Sequence, residues 1–329
     1  MKTNTISRRD FFKASAFSVI GATLFSEINS GCAAESSTTF KTQLKKAVIV
    51  QKPVEDELRK IKDAGFDGVE AGILPVEEAE KCRKIAEKVG LRIHSVMRGW
   101  AEFNSSDQAK VESSYKVTED AIRAAQAYGA DAVLLVPCRI GGMKMPQPWE
   151  FCIDYDKETG HIRKVTAGDN SQFEDYIKAH NHAVDRSKEM VKRLIPLAEQ
   201  CKVIIALENV WNNLWVKPAI FRDFVASFQS PWVKAYFDIG NHVKYAPPEE
   251  WILTLDNLIA KLHAKDFKLD LSDPAGGGQF VNIREGSVRW PIVRRALERV
   301  GYNGWITIEG GNCSLEEHSR RLDMIIAGK

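Results

Sequence analysis

A disulfide framework, a dinucleotide fingerprint, a membrane-length apolar run and a basic surplus are all missing from this sequence. The six cysteines, Cys32, Cys82, Cys138, Cys152, Cys201 and Cys313, form no C-x-x-C pair and no regular spacing, so they read as small buried residues rather than a stapled scaffold. No Gly-x-Gly-x-x-Gly follows the first strand, which leaves dinucleotide binding without its signature. The formal charge is only +2, from 46 Lys+Arg against 44 Asp+Glu. The first 34 residues hold Lys2, Arg8, Arg9 and Lys13 against Asp10 and Glu27, so the remainder balances at 42 of each sign. Such a chain lacks the cationic footprint of a phosphate-backbone binder, and nucleic acid is not an expected partner. What is present is ordinary globular composition, 44% apolar and 27% charged. A length of 329 residues suits two medium domains or one large α/β barrel.

Residues 1–34 read as an address. Ser7-Arg8-Arg9-Asp10-Phe11-Phe12-Lys13 precedes an apolar run from Ala14 to Phe25, and small residues follow at Ser30-Gly31-Cys32-Ala33-Ala34. The run of 12 residues is too short to cross a bilayer, which takes about 20. Paired arginines before Phe-Phe-Lys resemble a twin-arginine export signal, which implies the twin-arginine machinery as a partner and a periplasmic location. Lipid attachment at Cys32 is the alternative to soluble export, although Asn29 stands where such boxes carry an apolar residue. Residues 35–44 then form a linker and 45–329 the folded unit.

From residue 45 a rhythm sets in of short β-branched run, loop and amphipathic helical stretch. Eight strands are expected, at Ala47 to Gln51, Gly68 to Ala71, Arg92 to Val96, Ala132 to Val136, Val203 to Leu207, Val233 to Phe237, Ile259 to His263 and Trp305 to Ile308. Gly65, Gly90, Gly129 and Gly301 follow helical stretches, where a left-handed residue ends the helix. Eight βα units predict a single (β/α)8 TIM barrel. Two stretches interrupt it. Residues 139–184 exceed an ordinary βα loop and contain an expected hairpin, Phe151 to Tyr155 with His161 to Val165. Asp270 to Trp290, with Gly276-Gly277-Gly278, reads as a mobile loop after strand seven. Both are expected over the carboxyl ends of the strands, where barrel enzymes keep their chemistry.

Polar residues stand directly after four consecutive strand runs: Glu208, Asp238, His263 and Glu309. Barrel closure sets neighbouring strand ends about 5 Å apart, so the four converge. One such acid alone is more often a cap or salt-bridge partner. Three carboxylates buried together without a cation would repel one another and resist desolvation. Three carboxylates and one imidazole make a hard, oxygen-rich ligand set for one divalent ion, suited to Mn²⁺ or Mg²⁺, with Zn²⁺ and Co²⁺ also accommodated. Glu70 and His94 close strands two and three and are candidates for binding substrate or ordering the metal shell. Asn209, Asn241 and Lys265 are candidate substrate binders, with His242, Trp211, Trp215, Lys268 and Arg139 less central.

The motifs Phe66-Asp67-Gly68-Val69-Glu70, Leu207-Glu208-Asn209, Phe237-Asp238-Ile239-Gly240-Asn241, Leu262-His263-Ala264-Lys265-Asp266-Phe267, Arg284-Glu285-Gly286-Ser287-Val288-Arg289-Trp290 and Gly301 to Glu309 resemble the xylose isomerase-like barrels. That group includes sugar phosphate isomerases and epimerases, ketose 3-epimerases and inosose dehydratase-like proteins. The resemblance covers nearly all of residues 45 to 327. It implies a divalent metal held by Glu208, Asp238, His263 and Glu309, with Glu208 and Glu309 also moving protons. Ketose 3-epimerases carry a substrate-binding Glu six residues beyond the first metal Glu and an Arg six beyond the metal His. This chain has Leu214 and Leu269 there, a departure from that pattern.

The reading that results is a divalent-metal-dependent sugar isomerase or epimerase that works through an enediolate by carboxylate proton transfer. Export favours an unphosphorylated sugar or sugar derivative, since sugar phosphates are intracellular. Two alternatives stand beside it: a metal-dependent lyase or dehydratase that eliminates from a keto-glycoside or keto-sugar, and a sugar-binding protein without turnover. The expected partner is a small carbohydrate, and self-association into a homo-oligomer is left open.

Overall fold

The computed structural model describes residues 39–270, 272–273 and 277–329. The expected export signal, Cys32, most of the linker and Gly276 lie outside the described residues. Eight parallel strands, β1 (Leu44–Val50), β2 (Gly68–Ala71), β3 (Arg92–Trp100), β4 (Ala132–Val136), β7 (Ile204–Glu208), β8 (Val233–Asp238), β9 (Ile259–Ala264) and β12 (Gly304–Ile308), close into one barrel. Around the ring the order is β1-β12-β9-β8-β7-β4-β3-β2. Between these strands run α1 (Glu55–Asp63), α2 (Val76–Val89), α3 (Gln108–Tyr128), α4 (Glu174–Cys201), α5 (Pro218–Ala226), α6 (Pro248–Leu255) and α7 (Trp290–Arg299), and α8 (Leu315–Ile326) follows β12. Two short antiparallel hairpins, β5 (Asp154–Tyr155) with β6 (Ile162–Lys164) and β10 (Asp266–Leu269) with β11 (Gly278–Val281), stand outside the ring.

The period-two alternation of each strand sets the layers. Val233, Ala235 and Phe237 of β8, Leu262 and Ala264 of β9, and Ile306 and Ile308 of β12 pack outward into the helix layer. Ala206 and Tyr236 point into the barrel, packed with Leu134 and Val136. Counting on by two from Ala206, Tyr236, Lys261 and Thr307 reaches Glu208, Asp238, His263 and Glu309. All four therefore project inward at the carboxyl rim. Helix ends follow local chemistry: Asp107 caps α3 by accepting from Ala109 N at 2.9 Å, and Gly90 and Gly129 take left-handed φ of 82° and 71° that a Cβ would strain.

Three expectations are corrected. β1 begins at Leu44, inside the expected linker, because Glu298 of α7 accepts hydrogen bonds from the backbone N–H of Lys41 and Thr42 at 2.8 and 3.0 Å and fixes the chain ahead of the strand. α4 starts at Glu174, ten residues before the expected end of the insertion, since Tyr176, His180 and Ala183 already form its buried face. The β5–β6 hairpin forms as expected but lies on the outer flank. Tyr155 Oη donates to Asp223 of α5 at 2.7 Å, and Asn181 of α4 bonds the backbone of Ile162 from both its amide atoms. Cys82, Cys138, Cys152, Cys201 and Cys313 are all free thiols. Among the described residues no helix is long and apolar enough to cross a membrane.

Candidate metal centre

Glu208, Asp238, His263 and Glu309 come together, one ligand atom of each lying within 4.8 Å of every other. His263 Nδ1 stands 2.7 Å from Glu309 Oε2 and 3.6 Å from Glu208 Oε1. The strands that carry them, β7, β8, β9 and β12, are consecutive around the ring, so Glu208 and Glu309 bound the cluster from its two ends.

Three of the four candidate ligands have a hydrogen-bond partner beside the cluster. Asp238 Oδ1 accepts from the backbone N–H of Gly240 and Asn241 at 2.8 and 2.6 Å, which leaves Oδ2 turned to the cluster. His263 Nε2–H donates to Glu70 Oε2 at 2.6 Å, and Tyr236 Oη donates to the same oxygen at 3.1 Å. A carboxylate acceptor at Nε2 directs the Nδ1 lone pair to the cluster, the usual orienting device behind a metal-bound imidazole. Asn241 Nδ2 lies 3.4 Å from Glu208 Oε1.

Asp238 Oδ2, His263 Nδ1 and Glu309 Oε2 are buried and have no hydrogen-bond partner. Buried polar atoms are costly when unsatisfied, and three of them facing one point fit a cation with oxygen and nitrogen donors. Protonation equilibria agree with this. Burial pushes the Asp238 carboxyl up to about 7, and burial likewise raises Glu208. Burial would also raise Glu309, yet His263 and Lys265 hold its carboxyl well below the usual range. Lys265 supplies a positive charge at the rim, its Nζ 2.9 Å from Glu309 Oε1 and 3.5 Å from Asp238 Oδ2.

The second tier of expected residues divides. Lys265 and Asn241 reach the cluster, joined by a 3.3 Å bond from Lys265 Nζ to Asn241 Oδ1. Glu70 and His94 are fully buried, as Asp238 is. Glu70 stands behind His263, and His94 bonds Thr307 Oγ1 at 3.0 Å while stacking on Trp305. Asn209 is also buried and spends its amide on the Asp238 backbone, accepting from its N–H at 2.6 Å and donating to its carbonyl at 2.9 Å. His242 donates to Val210 O, and burial pushes its pKa down to about 3. Trp215 is core, against Phe221 and Phe224. Trp211 lies by the mouth, its indole N–H donating to Asn241 O. Arg139 is exposed beside the Trp100 ring, and Lys268 is exposed on β10.

The stretch expected as a mobile loop, Asp270 to Trp290, supplies β11, which pairs with β10 immediately ahead of it in a hairpin organised by Asp266. Its two oxygens accept from Phe267 N, Val288 N, Arg284 N, Gly286 N and Trp290 Nε1, all between 2.8 and 3.2 Å. A Cβ on Gly286 would fall 2.1 Å from Asp266 Oδ1, so only glycine admits this approach. An open cavity of about 480 Å³ adjoins the cluster, bounded by Lys265 and Glu309, by Phe280, Val281, Asn282 and Glu285, and by Gly310, Gly311 and Asn312. Phe280, Asn282 and Asn312 carried no signal in the sequence, because the hairpin that places them was not foreseen.

Comparison with known proteins follows the same lines. The family described as Xylose isomerase-like TIM barrel matches residues 58–323. An uncharacterised protein of Methanocaldococcus jannaschii is 27% identical over 135 residues, which is 39% of this chain and 44% of that protein's length. Among solved structures, a 3-keto-D-glucoside 4-epimerase from E. coli superposes with a TM-score of 0.64 at 13% identity, over 86% of this chain and 99% of that one. A D-tagatose 3-epimerase-like protein gives 0.65 at 18% identity, over 86% and 98%. A xylose isomerase domain protein from Planctomyces limnophilus gives 0.61 at 14%, over 86% and 94%. At these identities the likeness concerns the fold.

Proposed function

The chain belongs to the xylose isomerase-like TIM barrel family, and from that premise we propose that it is a divalent-metal-dependent sugar isomerase or epimerase acting on an unphosphorylated sugar or sugar derivative. The observation that carries this reading is the pair of carboxylates at the two ends of the cluster, Glu208 on β7 and Glu309 after β12. Glu208, Asp238, His263 and Glu309 would hold one divalent ion, Mn²⁺ or Mg²⁺ by their hard donor set, with Zn²⁺ and Co²⁺ also suited. When bound, the ion would withdraw electron density from a carbonyl and the hydroxyl beside it, which makes the intervening C–H acidic.

The protein's own groups do the rest. Glu309, with Lys265 Nζ 2.9 Å from its Oε1, takes the proton from one face of the substrate carbon. Glu208, at the opposite end of the cluster, returns one from the other side, which inverts that centre. Lys265 and Asn241 bind substrate oxygens beside Glu309. Export by the twin-arginine route to the periplasm, with Cys32 as a lipid-attachment alternative, belongs to the same reading. It rests on Arg8 and Arg9 ahead of Phe11-Phe12-Lys13 and the short apolar run that follows.

A second reading, β-elimination from a keto-glycoside or keto-sugar, draws on Leu214 and Leu269. Leu214 is buried core and Leu269 half-buried, so neither brings the polar group that ketose 3-epimerases carry at these positions. Incubation of the Mn²⁺-loaded protein in D₂O with free ketoses and with 3-keto-glycosides separates the readings. Deuterium entering intact sugar supports isomerisation or epimerisation, and release of aglycone or water supports elimination. Bound sugar that never exchanges leaves a binding protein and overturns both.

A further inference from the structure

The cavity beside the cluster is larger and differently lined than one reacting ring requires. Phe280 on β11 is 44% exposed, yet it is not loose. Its ring lies 5.1 Å from Trp211 and 5.2 Å from Phe267, and residues 278–281 are paired in register with 266–269. Phe280 borders the cavity that Lys265 and Glu309 also line, with Lys265 Nζ over its ring at 5.1 Å from the centroid. Asn282 and Asn312 line the same cavity, joined by a 2.9 Å bond from Asn312 N to Asn282 Oδ1, while Asn282 Nδ2 donates to Glu285 Oε2 at 3.1 Å. The floor between is Gly310-Gly311, where side chains are missing and φ is 80° and 88°.

An exposed aromatic ring held in place by its neighbours, with asparagines lining the same cavity, suits a carbohydrate ring or an aromatic aglycone, which presents C–H or π surface beside polar edges. The volume of about 480 Å³ lies outside the arc between Glu208 and Glu309 and is shared with Glu309 alone of the two. A ligand whose reacting carbon meets the carboxylate pair would thus continue into this space.

We propose that the substrate is a glycoside that carries a carbonyl on its sugar ring, and that its aglycone occupies a subsite formed by Phe280, Asn282 and Asn312. This deepens the sugar-transforming reading above and depends on it for the position of the reacting ring. The glycosidic oxygen lies toward Lys265, and the bulky substituent covers the exposed face of Phe280. Phe280 contributes affinity and selection; it takes no part in bond breaking.

Binding without turnover tests the subsite apart from the reaction. A panel of unoxidised phenyl and methyl glycopyranosides in both anomeric forms, titrated by calorimetry into the Mn²⁺-loaded full chain, provides the probes. A stacked aglycone predicts that at least one phenyl glycoside binds about tenfold more tightly than its methyl counterpart. Phe280→Ala removes that preference to within twofold and leaves methyl glycoside affinity unchanged, whereas Phe280→Tyr retains the preference. A preference that survives in Phe280→Ala, or equal affinities for phenyl and methyl members across the whole panel, overturns the subsite. Failure of solvent deuterium to enter any sugar overturns the isomerase reading instead, and the two failures are read by different instruments.

Discussion

Glu70 and His263, 193 residues apart in sequence, meet through a 2.6 Å hydrogen bond between Oε2 and Nε2, with both side chains sealed from solvent. The carboxylate fixes which imidazole nitrogen bears hydrogen and so which one is offered to a cation. Glu70→Gln keeps the size and loses the charge-assisted bond. Divalent-metal affinity is expected to fall about tenfold to a hundredfold, read by calorimetric titration of Mn²⁺, with circular dichroism unaltered. Unchanged affinity would remove Glu70 from the ordering of the site.

Glu309 stands at one end of the ligand arc with Lys265 against it. Glu309→Gln retains a metal-ligating oxygen but no proton acceptor. Solvent-proton exchange into substrate should drop by about 10²- to 10⁴-fold while the thermal midpoint changes little. Exchange at the original rate excludes Glu309 as the base.

Lys265 has a different expected signature. Its ammonium is the positive charge nearest Asp238 and Glu309 from outside the ligand set, and removing it leaves their carboxylates uncompensated. Lys265→Met should destabilise the chelator-treated protein by about 3 kcal/mol, and the loss should shrink when saturating Mn²⁺ is restored. Equal destabilisation with and without metal would show that Lys265 acts through packing alone.

The opposite end of the barrel carries a pH-dependent contact. Burial would raise the Glu298 carboxyl, but hydrogen bonds from Thr42 and Lys41 and the charge of Arg294 bring it down to about 2. A depressed folded-state pKa contributes stability above the ordinary carboxylate value, and that stability is lost as pH falls through the folded value. Glu298→Gln should therefore cost about 1–2 kcal/mol at neutral pH after allowance for its partial exposure. The difference from wild type should fade between pH 4.5 and 2. A constant difference across that range would assign the loss to shape rather than charge.

The four candidate ligands were legible because each is a polar residue at the carboxyl end of a mostly apolar strand run, and alternation carries the inward direction past the end of the strand. The barrel was legible for the same reason, repeated eight times. Glu70 and Asn209 were visible as polar residues at strand ends, but nothing local says that Glu70 faces the back of an imidazole or that Asn209 serves the neighbouring strand's backbone. Those roles arise from cross-barrel proximity. The β10–β11 hairpin was hidden by its glycines, which read as looseness. Its order comes from Asp266, whose five donors are drawn from as far along the chain as Trp290. The start of α4 was missed because charged residues crowd its first turns, although Tyr176 and His180 already lie on the inner side.

Asp266 follows His263 by only three residues, and it also secures the hairpin that carries Phe280. The strand that carries His263 and the hairpin that carries Phe280 are thus tied through one short segment, so a substitution at Asp266 should disturb both together.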